Sequence, residues 1–124
     1  MRRHTISFKN AFTGIYTAAR TQANIRIHLL ATIIVLLAGA YFQVSLTEGL
    51  ILMLTIASVF VAEMFNTAIE FLADAVTRKD NEFIRHAKDV AAGAVLFSAI
   101  LALAVGFLIF YPKINCQMFV NCKL

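Results

Sequence analysis

Three unbroken apolar runs, residues 27–44, 49–72 and 90–111, limit what this chain of 124 residues can become. A helix needs about 20 largely apolar residues to cross roughly 30 Å of hydrocarbon, so each run is long enough to span a bilayer. The composition agrees. Hydrophobic residues make up 60% of the chain and charged residues only 15%, with mean hydropathy +0.79, whereas a water-soluble domain carries about a quarter charged residues. One proline, five glycines and the lack of sustained apolar–polar alternation argue against a loop-rich β-protein or a barrel. The fold class expected is an all-α membrane protein, a single membrane domain over residues 1–124. A multi-domain soluble enzyme is excluded.

Placement of charge says more than the net value of +4. Arg2, Arg3, Lys9, Arg20 and Arg26 all precede the first acid, Glu48. Across residues 5–26 these cations and several amides alternate with Ile6, Phe8, Phe12, Ile15 and Ile25. That pattern predicts an amphipathic surface helix suited to an anionic membrane, and makes nucleic acid an unsuitable partner. The linker over residues 43–48 holds no Lys or Arg, whereas the linker before the third run holds Arg78, Lys79, Arg85 and Lys88. Positive charge marks the cytoplasmic side. The N-terminus is therefore expected in the cytoplasm and residues 112–124 outside, as a tail. Cys116 and Cys122 fall in that tail, where a disulfide needs an oxidising compartment and reduced thiols are the expectation.

The second run departs from plain hydrophobicity. Glu63, Asn66, Glu70 and Asp74 stand at offsets 0, 3, 7 and 11, which recur on one face of a helix with 3.6 residues per turn. A carboxylate within a span costs roughly 2.5–3.5 kcal/mol on insertion scales, so it persists where it is buried against partners or has a function. Several acids on one face also repel one another and call for cations. The short linker returns Lys88, next to Asp89, to the level of Glu70 and Asp74. A cation, several carboxylates and an amide at one depth suit magnesium carried by a polyphosphate, since Mg²⁺ takes one or two carboxylates plus substrate phosphates. Neither a Walker A sequence nor the glycine loop of protein kinases is present. A second class of function also fits the stripe: a homo-oligomeric ion- or proton-coupled transport subunit, in which Glu63 and Glu70 carry cations.

The block Glu63-Met64-Phe65-Asn66-Thr67-Ala68-Ile69-Glu70, followed by Asp74 and by Ala87-Lys88-Asp89 with its Ala/Gly run, resembles the bacterial integral-membrane diacylglycerol kinase family, which includes undecaprenol kinases. The likeness extends from about Phe8 to Lys113 and takes in the arm segment from Ala19 to His28. It implies a homotrimer of three-span subunits with active sites between subunits, in the bacterial inner membrane. It implies transfer of the γ-phosphate of Mg-ATP to the hydroxyl of a membrane lipid alcohol, diacylglycerol or undecaprenol. By position, Glu63 would be the general base and Glu70 the magnesium carboxylate; Asn66, Asp74, Lys88, Asp89 and the loop Lys79-Asp80-Asn81 would line the nucleotide. The loop residue types match the family less well, and the chain departs from its pattern at Gln22, which stands where a second metal-binding Glu is usual. Its carbonyl can reach a metal but adds no charge, so weaker metal binding is the expectation.

Overall fold

In a computed structural model, which describes residues 8–118, the chain forms four helices: α1 Phe8–Thr21, α2 Ala23–Tyr41, α3 Leu46–Val76 and α4 Glu82–Met118. The described residues contain no strand, and α2, α3 and α4 are each long and apolar enough to cross a membrane. The all-α membrane architecture with a preceding N-terminal helix is thus the observed one. At about 1.5 Å per residue, the 31 residues of α3 reach about 46 Å, well beyond the hydrocarbon thickness. Its ends therefore stand outside the apolar layer.

The surface helix, expected over residues 5–26, stops at Thr21. Gln22 adopts an extended backbone, φ −103° and ψ 118°, and the four residues after it are the first turn of α2. Side-chain periodicity could not reveal this break, because Ile25 keeps its apolar spacing while facing the core as part of the next helix; it is buried. On α1 only Ala18 is buried, and Phe8, Phe12, Ile15 and Tyr16 stay exposed. Such an unpartnered apolar stripe beside Lys9 and Arg20 suits a helix lying in the headgroup layer.

The start of α3 is set by a capping box. The Ser45 hydroxyl accepts a hydrogen bond from the Glu48 backbone N–H at 3.3 Å, and the Glu48 carboxylate accepts one from the Ser45 N–H at 2.7 Å. This places the start three residues before the apolar run at 49. Ser45→Ala is expected to destabilise the fold by about 1 kcal/mol, read from thermal unfolding in detergent.

The helix α4 passes through Pro112 and continues to Met118, where a tail from residue 112 was expected. Proline removes one i→i−4 hydrogen bond, a loss that membrane helices tolerate. Immediately past it, Lys113 pairs with Glu48 at 3.0 Å and fastens α4 to the start of α3. Cys116 lies on this extension, while Cys122, and with it the expectation of reduced thiols at both positions, lies outside the described residues.

Packing is uneven. Contact between α3 and α4 is extensive, and α2 touches α3 far less. The buried apolar residues Leu52, Val59, Ala73 and Ala91 belong to the α3–α4 pair. The turn between these helices is held by Asn81, whose side-chain oxygen accepts hydrogen bonds from the N–H groups of Phe83 (3.0 Å) and Ile84 (3.2 Å). This N-cap brings the first turns of α4 back against the last turns of α3.

Candidate active site

Burial along α3 takes in polar residues beside the apolar Leu52, Val59 and Ala73. Glu63, Asn66 and Thr67 are all buried, and Glu63 is only 1% exposed. Burying a carboxylate is costly unless partners offset the loss of water. The helix therefore places its charge where neighbouring helices bring polar groups to meet it. Thr67 turns its hydroxyl back to the Glu63 carbonyl at 2.8 Å and leaves the carboxylate to other partners.

Two turns further along α3, Glu70 is held by two amides. Gln22, at the junction of α1 and α2, donates to one carboxylate oxygen at 2.8 Å, and Asn66 donates to the other at 3.2 Å. The structure thus unites three of the residues singled out in the sequence from two distant segments. It also explains the extended backbone at Gln22: leaving the helix frees this side chain to reach across to α3. With its amide nitrogen engaged, the Asn66 carbonyl oxygen is buried with no hydrogen-bond partner. An orphaned buried acceptor of this kind costs free energy until a donor or a cation meets it.

Beyond Glu70, Asp74 and Lys88 form an ion pair at 2.8 Å across the α3–α4 turn. Lys88 is also within electrostatic range of Glu70. The cation is therefore drawn to the same end of the bundle as the carboxylates. Both members of the pair remain partly open to solvent, so a phosphate can compete for the ammonium group.

The remaining loop residues are less convergent. Lys79, Asp80 and Asp89 are exposed, and Asp80 lies 3.7 Å from Arg85. Asn81 spends its side chain on capping α4.

Sequence reasoning missed His28, which reads as an ordinary interfacial polar group. Its Nε2 lies 3.1 Å from Glu63 Oε1, at ion-pair distance but off the line of a hydrogen bond, so Oε1 counts as buried and without a hydrogen-bond partner. One antiparallel register explains both polar contacts made to α3, from Gln22 just before α2 and from His28 within it. Moving six residues along the chain from Gln22 to His28 corresponds to moving seven back from Glu70 to Glu63.

Among the described residues no group of three or more His, Cys, Asp and Glu side chains is gathered to cage a metal. Glu70, with the Gln22 and Asn66 amides beside it and the Asn66 carbonyl oxygen without a hydrogen-bond partner, fits the lighter demand of a magnesium ion that arrives with phosphates.

The sequence model of the family described as prokaryotic diacylglycerol kinase matches residues 9–110. The chain belongs to this family. Among curated relatives, it is 41% identical over 108 residues to a protein named undecaprenol kinase from Bacillus subtilis, covering 87% of this chain and 88% of the relative. It is 36% identical over 114 residues to a protein named diacylglycerol kinase from Synechocystis, covering 91% of this chain and 65% of that longer relative. The match runs from α1 through most of α4, so every residue of the buried cluster lies within the family region.

Proposed function

We propose that this protein is a membrane lipid kinase that transfers the γ-phosphate of Mg-ATP to the hydroxyl of a lipid alcohol. The observation that carries the reading is the fully buried Glu63 carboxylate, two turns along α3 from a Glu70 already gripped by Gln22 and Asn66. Membership of a family whose relatives are named for phosphorylating lipid alcohols supports the same conclusion.

In this reading Glu63 is the general base. It takes the proton from the lipid hydroxyl as that oxygen bonds to the γ-phosphorus and the bond from phosphorus to the departing ADP oxygen breaks. Phosphoryl transfer asks mainly for positioning and charge neutralisation. Glu70, aided by the amide oxygens of Gln22 and Asn66, would hold the magnesium of the nucleotide, which offsets phosphate charge when bound. Lys88 exchanges Asp74 for a phosphate oxygen, and Asp89 with the Lys79–Asn81 turn flanks the nucleotide. Because α3 and α4 outreach the hydrocarbon layer, Glu70 and Lys88 sit where ATP from water and a lipid headgroup meet.

The proposal extends to orientation and assembly. The basic α3–α4 turn and the basic arm support a cytoplasmic location for that end of the bundle. A homotrimer with sites between subunits suits an open groove lined by Ala62, Ala87, Ala91 and Ala94, with Asn66 in its wall, since small residues let helices approach closely. The decisive experiment offers diacylglycerol and undecaprenol separately, in mixed micelles with γ-labelled ATP and magnesium, to the purified protein. Label in the extracted lipid is the expected outcome; label in neither lipid overturns the reading.

A further inference from the structure

Among the described residues His28 is the one side chain that meets the Glu63 carboxylate, and the mechanism above leaves it unused. It comes from α2, a helix whose contact with α3 is otherwise sparse. It also lines a cavity of about 220 Å³ between α2, α3 and α4 whose other walls, from Ala31 to Gly106, carry no ionisable group. In such surroundings the imidazole is the nearest compensation for the buried carboxylate, because little else offers a charge or a donor.

We infer that His28 is the positioning residue for Glu63. Its imidazole fixes the orientation of the carboxylate that receives the hydroxyl proton and leaves the nucleotide to the Gln22–Asn66–Glu70 cluster. The present 3.1 Å contact lies off the hydrogen-bond line, as is common before a substrate tightens a catalytic site. In the proposed reacting state the ring would turn to direct an N–H at Oε1. The inference rests on the lipid-kinase reading and deepens it by adding a residue on which the base depends.

The test is a pair of substitutions assayed for phosphate transfer over ranges of ATP and lipid. His28→Leu keeps an apolar wall for the cavity and removes the ring nitrogen; His28→Gln retains an N–H donor. The first is expected to lower kcat on the order of 10–100-fold with KM for ATP unchanged, and the second to recover most of the loss. In a Glu63→Gln background, His28→Leu is expected to add no further loss, because its effect passes through that carboxylate. Wild-type kcat in His28→Leu, or a rise in lipid KM alone, overturns the inference and makes His28 a plain wall of the cavity.

If His28→Leu does not fold, His28→Ala with added imidazole decides. Turnover that rises with imidazole at constant ATP KM supports the assignment, and turnover indifferent to imidazole overturns it. Wild-type protein that labels neither lipid refutes the kinase reading. Active wild type, inactive Glu63→Gln and fully active His28→Leu refute the positioning role alone.

Discussion

Glu63→Gln is expected to abolish lipid phosphorylation, lowering kcat by about 10²–10⁴-fold, the usual contribution of a general base. The substitution keeps shape and volume at a site that is 1% exposed, so packing around Val59 and Thr67 is retained. Nucleotide affinity should hold as well, because Gln22, Asn66 and Glu70 are left in place. Thermal stability in detergent is expected to stay level or rise, since the change replaces a buried acid having one acceptor oxygen without a hydrogen bond by a neutral amide. This combination is diagnostic. A large fall in stability would mark Glu63 as a structural residue, and a wild-type rate would remove it from catalysis. Parallel measurements of kcat, ATP KM and unfolding temperature separate the cases.

The second large effect is expected at Gln22. Its amide donates to Glu70 at 2.8 Å, so Gln22→Glu replaces a donor with a second carboxylate facing the first. Without magnesium the two acids repel each other, and the unfolding temperature should fall. Added magnesium should restore it, because a divalent ion between two carboxylates is favoured where one carboxylate and an amide bind weakly. The magnesium concentration giving half-maximal transfer is expected to drop about tenfold, equivalent to ~1.4 kcal/mol. Titration of rate and of unfolding temperature against magnesium checks both signs. An unchanged magnesium requirement would show that Gln22 stands away from the metal and serves only to orient Glu70.

Much of this architecture was legible in the chain because hydrocarbon enforces it. Three long apolar runs have few structural solutions in lipid, and a stripe of Glu63, Asn66 and Glu70 at helical spacing had to share a face. The Asp74–Lys88 approach followed from a linker too short to carry Lys88 elsewhere. Less visible were features set by one backbone torsion or by register between helices. Gln22 leaves helical geometry in the middle of an amphipathic pattern that continues on both sides. The importance of His28 emerges only when α2 is laid antiparallel against α3. The run of α4 beyond Pro112 was hidden because the apolar run ends at residue 111, whereas the Lys113–Glu48 pair holds the next turn in place. The capping box Ser45–Glu48 was present as a sequence signal, and explains the early start of α3.

The single extended residue between α1 and α2 links attachment to chemistry. Gln22 belongs neither to the amphipathic α1 nor to α2, a helix long and apolar enough to cross a membrane, yet its amide grips Glu70. Displacing α1 from a membrane surface would be expected to draw that amide away and leave Glu70 held by Asn66 alone. In the proposed mechanism the reaction centre would then be complete only while α1 lies on the leaflet, so that the membrane offering the acceptor would also assemble the machinery acting upon it.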